Sequence, residues 1–247
     1  MTAELSLLQT LRTLPQETQD YFHAKASEAL KIASFNSWDV HRRPSQSTPQ
    51  GNWRMWLILA GRGWGKTRTG AEFVRQQIDL GMTSHIALVG PTAADVRDTM
   101  IEGESGLLGV YSADQRPRYE PSKRRVTFHN GAVASAFSAD EPDRLRGPNH
   151  DLAWADELAA WRYPEAWDML MFGLRIGKNP RVVVTTTPKP IPIIRRLLKI
   201  EDESIVVTRG STFDNKDNLA ASFITEITSR YEGTRMGRQE LYAEVLD

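Results

Sequence analysis

Eight consecutive residues carry the best-defined chemistry in the chain: Ala60-Gly61-Arg62-Gly63-Trp64-Gly65-Lys66-Thr67. Glycines at this spacing let backbone N–H groups turn toward an anion, and the positive end of a following helix adds to the attraction. Lys66 then reaches the β- and γ-phosphates of a nucleotide, and Thr67 sets its hydroxyl on Mg2+. The stretch departs from G-x-x-x-x-G-K-[ST] at its first position, Ala60, which an alanine can fill while φ stays negative. The plainer reading is a glycine-rich turn with an incidental Lys-Thr. Against it stand an apolar strand pattern before the turn and a helical pattern after it. Ala60, Gly61, Arg62, Gly63, Trp64, Gly65, Lys66, Thr67 and Arg68 are the candidate contacts to ATP. Arg62 either stabilises the γ-phosphate in cis or forms a surface ion pair. Trp64 reads as a packing or nucleotide-shielding residue rather than a wedge into DNA.

A second constellation lies downstream. Leu152-Ala153-Trp154-Ala155 runs into Asp156-Glu157. Asp156 is expected to hold Mg2+ through water, and Glu157 to orient and activate the attacking water. Such a pair suits ATP hydrolysis rather than transfer to a second substrate. It should sit at the carboxyl end of the strand beside the phosphate loop, where open α/β sheets place ligands. An apolar run ending in Asp-Glu is otherwise only a solvated strand end.

Val182 to Pro188 is a strand tipped by Thr185, Thr186 and Thr187. A threonine there, with Thr186 the candidate, can bond the γ-phosphate or the attacking water; strand propensity alone also explains threonine. Arg144 and Arg146 precede the acidic strand. Either can reach a neighbouring subunit's ATP as an arginine finger, or pair with Asp140, Glu141 or Asp143.

Other elements must position these groups. Strands are predicted at Trp56–Ala60, His85–Val89, Asp151–Ala155, Arg181–Thr186 and Ile205–Thr208. Helices are predicted at about Lys66–Ile78, Ala93–Glu104 and Asn218–Arg230, with one or two more in Leu5–Ile32. Arg125–His129 and Ala132–Phe137 flank Asn130-Gly131, a hairpin signal in which both turn positions favour φ > 0. Strands alternating with helices imply a mainly parallel sheet sandwiched by helices. The expected division is an N-terminal helical segment and linker over 1–50, an ATPase core over 51–215 and a small C-terminal lid or linker over 216–247.

Composition narrows the partners. The 247 residues hold 31 Lys plus Arg against 31 Asp plus Glu and no cysteine. Zero net charge argues against a general polyanion binder, so contact with DNA needs a local patch or a ring lumen. Candidate patches are Arg116, Arg118, Lys123, Arg124 and Arg125, then Lys189, Arg195, Arg196 and Lys199; each is also an ordinary solvated face. No disulfide or thiolate metal site is possible. Nothing resembles a signal peptide or a membrane span.

Taken together, Trp53 to Glu72, Leu145-Arg146-Gly147-Pro148, Trp154-Ala155-Asp156-Glu157, Thr185-Thr186-Thr187-Pro188, Gly210 to Asn215 and Gly237 to Tyr242 resemble the motor region of the large terminase subunits of tailed bacteriophages, prophages and gene transfer agents. The resemblance runs in order from about Phe35 to Asp247. It implies a P-loop NTPase of the ASCE type that pumps double-stranded DNA into a procapsid. It also implies a homo-oligomeric ring, usually a pentamer, docked on the portal protein, a small terminase partner, and a place in the host bacterial cytoplasm and transiently on the procapsid. Arg43 and Gln46 match the segment that supplies adenine contacts. Members normally continue into a nuclease domain, so no nuclease activity is expected within these residues. A helicase-like or DNA-repair ATPase, and a DNA-tethering protein with a degenerate nucleotide site, are the alternatives.

Overall fold

A computed structural model describes residues 15–25, 37–200 and 203–246. The chain divides into two units, 1–47 and 48–247. In the first, helices α1 (Gln16–Lys25) and α2 (Trp38–His41) are described. The rest of the helical expectation over Leu5–Ile32 lies outside the described residues.

The second unit is built on one eight-stranded sheet. Along the chain come β1 (Met55–Ala60), α3 (Lys66–Asp79), β2 (His85–Gly90), α4 (Ala93–Asp95), β3 (Arg118–Glu120), β4 (Arg125–Thr127), β5 (Val133–Ser138) and β6 (Leu152–Asp156). Then follow α5 (Glu165–Gly173), β7 (Arg181–Thr186), α6 (Pro192–Leu198), β8 (Ile205–Gly210), α7 (Ala221–Tyr231) and α8 (Arg235–Glu240). The strand order is β3-β4-β5-β2-β6-β7-β1-β8. From β5 to β8 every pairing is parallel, and β3 and β4 join antiparallel at one edge. The predicted mainly parallel α/β fold is the one observed.

The pleat of β1 explains the layering. Its side chains alternate between faces, and all six of its residues are buried. Trp56 and Ile58 pack with Phe73, Val74 and Ile78 of α3. Leu57 and Leu59 belong to the opposite core, with Trp167 and Leu170 of α5 and Ile194 and Leu197 of α6. A strand buried on both faces must be apolar throughout, which is why Met55 to Ala60 shows no alternation.

Three expectations change. The strand carrying Asp156 is not beside β1: β7 lies between them, with Asp156 level with Thr185 and Thr185 level with Ile58. In the hairpin only Gly131 takes a positive φ, 86°. Asn130 stays out of that region because its side chain is committed: Nδ2 donates to the Ile78 carbonyl at 2.9 Å, and Oδ1 accepts from Ala132 N at 3.0 Å. The helix expected over Ala93–Glu104 begins at Ala93, capped by Thr92, but widens into a π-helical turn over Val96–Ile101.

Candidate functional site

The phosphate loop leaves the end of β1 and enters α3. Gly65 caps that helix at φ 98°, a left-handed value that a side chain would strain. Ala60 is absent from the positive-φ residues, so the loss of glycine there is tolerated. The steric demand falls one residue later: a Cβ on Gly61 would lie 2.7 Å from both the Leu241 carbonyl and Thr212 Oγ1.

Lys66 is the centre of the site. Its Nζ donates to the carbonyls of Ala60 at 3.1 Å and Gly61 at 3.2 Å, and to Thr187 Oγ1 at 3.3 Å. Glu157 Oε1 lies 3.6 Å away. The ammonium is buried, so each of these oxygens is worth more to it than in water. The other Glu157 oxygen accepts from Thr187 N at 3.3 Å. Glu157 itself sits at φ 47°, ψ 47°. Such a conformation costs a non-glycine residue about 1–2 kcal/mol.

Asp156 ends β6, 4% exposed. It accepts a short hydrogen bond from Thr185 Oγ1, which in turn accepts from Trp154 Nε1 at 2.9 Å. Because the indole can only donate, the threonine proton must point at the carboxylate. Burial, then the neighbouring Glu157 charge, pushes Asp156 up to about 7, while the Thr185 hydrogen bond and Lys66 pull it down. Among the described residues no three His, Cys, Asp or Glu side chains cluster so as to hold a metal by themselves.

A cavity of about 520 Å³ opens over these groups, lined by Gly63, Gly65, Lys66, Thr67, Arg68 and Glu157, among others. The structure therefore brings together Lys66, Thr67, Arg68 and Glu157, with Asp156 behind them. Arg68 is steadied by Glu72, which is 1% exposed and held between Arg68 at 2.8 Å and Arg75 at 2.7 Å. Trp64 is fully buried, with Gly210 against its indole, which is the packing alternative rather than a DNA wedge. Thr186 faces away from Lys66: its Oγ1 accepts from Ala159 N at 3.0 Å and donates to the Thr187 carbonyl at 3.1 Å. The pleat presents Thr185 and Thr187 to the site instead.

Arg62 extends from the loop to pair with Glu240 at 2.9 Å. Arg144 pairs with Glu141. Arg146 is exposed and makes no ion pair among the described residues. Neither Arg144 nor Arg146 lines the cavity. Arg43 and Gln46 lie in the first unit, where Gln46 Oε1 accepts from Arg43 N at 3.1 Å. In the first basic patch Lys123 and Arg125 pair with Glu120, and Arg124 pairs with Glu141. In the second, Arg196 pairs with Asp168.

Two partners of the loop escaped the sequence reading. Asn215 Nδ2 donates to the Gly63 carbonyl at 2.7 Å, and Arg62 N donates to the Glu240 carbonyl at 2.9 Å. Both lie in segments that carry the family likeness, residues 210–215 and 237–242, but nothing in spacing ties them to a loop some 150 residues or more earlier.

Residues 57–247 match the family described as terminase large subunit, T4likevirus-type, N-terminal. The chain belongs to the large terminase family. No curated protein matches it. Among solved structures, the large terminase ATPase domain of Thermus phage P74-26 is 15% identical, with a TM-score of 0.62, over 83% of this chain and 94% of that one. The large terminase of a thermophilic bacteriophage, in complex with ADP, is 13% identical with a TM-score of 0.66, over 87% of this chain. The chain spans about half, 52%, of that ADP-bound protein. The HK97 bacteriophage large terminase is 17% identical, with a TM-score of 0.52, over 75% of this chain and 39% of that one. At these identities the structural likeness is one of fold. No helix among the described residues of this terminase chain is long and apolar enough to cross a membrane.

Proposed function

We propose that this terminase chain hydrolyses MgATP and couples the reaction to movement of double-stranded DNA into a procapsid. The carrying observation is the convergence of Lys66 Nζ on the Glu157 carboxylate, 3.6 Å apart, at a cavity that Thr67 also lines. Family membership favours this reading over a helicase-like or repair ATPase and over a tethering protein with a degenerate site.

The donor set fits Mg2+ held jointly with a nucleotide. One buried carboxylate and one hydroxyl are too few for an all-protein cage, and Mg2+ is commonly bound by one or two carboxylates plus phosphates and water. Asp156 and Thr67 are the residues that would hold it, and the ion supplies charge neutralisation on the phosphates. Lys66 holds the phosphates. Glu157 accepts the proton of the attacking water, with Thr187 N fixing its far oxygen. Gly61, Gly63 and Gly65 let the loop backbone approach the anion.

Arg146 is the arginine proposed to act on a neighbouring subunit's ATP, because it alone of the candidate pair makes no ion pair among the described residues. Arg62 is the cis candidate once it leaves Glu240. Arg43 and Gln46 are the proposed adenine contacts. The proposed organisation places a linker before about residue 50, the ATPase core over 51–215 and a lid or linker over 216–247. The assembly proposed is a ring, a pentamer for preference, docked on the portal and fed by a small terminase subunit, in the host cytoplasm and transiently on the procapsid.

Phosphate release with and without duplex DNA tests the reading, alongside strand displacement. Release with the duplex left paired is the expected result; strand separation supports the helicase alternative, and no release sinks the enzyme reading. Turnover per subunit should rise with protein concentration and lose that rise in Arg146→Ala; a flat dependence would favour Arg62 in cis.

A further inference from the structure

The turn that presents Glu157 is held by contacts that phosphate chemistry does not itself demand. Glu157 lies in the left-handed region, at φ 47°, where a glutamate seldom rests unless its surroundings hold it there. Relaxing that residue to an ordinary φ would swing its carboxylate away from Lys66. Two buried side chains commit their polar atoms to the backbone of this one turn. Trp161 Nε1 donates to the Asp156 carbonyl at 2.9 Å, closing the loop from behind. Thr186 Oγ1, on the neighbouring strand, accepts from Ala159 N at 3.0 Å. Within the turn, Ala160 N donates to the Glu157 carbonyl at 2.7 Å.

Trp161 is 8% exposed, and filling space is the alternative account of it. Its ring, however, borders an apolar cavity of about 340 Å³ shared with Leu158, Trp167 and Ile191. Packing is incomplete on that side, so the contacts Trp161 makes with the rest of its core leave the N–H···O bond a share in setting the ring's orientation.

We infer that Trp161 and Thr186 are positioning residues for ATP hydrolysis: together they lock the 156–161 turn so that Glu157 is aimed at the nucleotide. The inference rests on Glu157 being the base proposed above. Thr186 then acts from the far side of its strand, through the backbone of Ala159, without touching the phosphate.

Single-turnover hydrolysis and ATP affinity, measured on the whole chain with Mg2+, separate the cases. Trp161→Phe keeps the ring and removes the donor. It should slow hydrolysis by up to about 10², the loss that a small misplacement of a reacting group brings, with ATP affinity unchanged within about twofold. In a Glu157→Gln background the same substitution should alter the residual rate by less than about twofold, since a residue acting only through Glu157 has nothing left to act on. Thr186→Ser should retain clearly more hydrolysis than Thr186→Val. Native hydrolysis in Trp161→Phe overturns the inference. If Trp161→Phe loses affinity and folding together, the threonine pair decides: equal rates in Thr186→Ser and Thr186→Val overturn it too. Undiminished hydrolysis in Glu157→Gln alone would instead sink the base assignment itself.

Discussion

Thr185, on an interior strand, and Glu120, on an edge strand of the same sheet, handle charge differently. Thr185, fully buried on β7, accepts a hydrogen bond from Trp154 and donates one to Asp156. Glu120, on the antiparallel edge, takes Lys123 at 2.8 Å and Arg125 at 3.0 Å, and these two ion pairs hold its carboxyl down to about 2. In the first region Trp154 Nε1, Thr185 Oγ1 and Asp156 Oδ1 each have an assigned partner and little water to fall back on. In the second, water and other side chains stand ready to replace whatever is removed. The contrast teaches that the shape of the nucleotide site is stored in enclosed hydrogen bonds, and that the ion pairs of the surface carry little of it.

The largest effect is expected at Glu157. Its replacement by glutamine keeps size and hydrogen bonding but removes the base. Phosphate release should fall by about 10²–10⁴ while a binding titration still detects ATP. Turnover near the native rate would place the catalytic group elsewhere.

Next comes Thr185→Val. It leaves the Trp154 N–H and the Asp156 carboxyl buried without their partner, so urea unfolding should show a loss of about 3 kcal/mol; Thr185→Ser should recover most of it. An effect no greater than that of a surface substitution would erase the distinction between the two regions.

His150 belongs in the same contrast, as a buried polar group whose Nε2 has no hydrogen-bond partner among the described residues. It packs edge-on against Phe137, and burial pushes it down to about 4. The unfolded chain, with an ordinary value near 6.5, therefore binds the proton more readily over that window. Stability from this group is intact above about pH 6.5 and drains away as pH falls toward 4, reaching a loss of about 2 kcal/mol near pH 5. Subtracting the pH–stability curve of His150→Phe from the native one isolates this slope; parallel curves would refute it.

The smallest effect belongs to Glu120→Gln. Melting temperature and ATP turnover should both stay within measurement error, and a clear drop in either would show that the surface edge matters to the site.

Much of the site could be read from the chain because its chemistry is local. A strand, a glycine-rich turn and a helix occur consecutively, so Lys66 and Thr67 are positioned by neighbours a few residues away. Asp156 and Glu157 follow one apolar run for the same reason. Strand order is not local: nothing in Arg181 to Thr186 says that β7 will insert between β6 and β1. The phase of the pleat is equally hidden, since three consecutive threonines look alike until the strand is seated, and that phase turns Thr186 away from Lys66. β3 is only three residues long, too short for the alternation around Tyr119 to mark it as a strand. The embrace of the phosphate loop by Asn215 and Glu240 depends on how the chain returns after β8, a matter of tertiary packing.

The most direct measurement replaces Mg2+ with Mn2+ and records the electron paramagnetic resonance of the ion with ATP and this protein. A bound ion is expected that requires nucleotide, couples magnetically to phosphate phosphorus, and is lost in both Thr67→Ala and Asp156→Asn. An ion that binds equally well without ATP, or that ignores both substitutions, would contradict a shared metal–nucleotide centre.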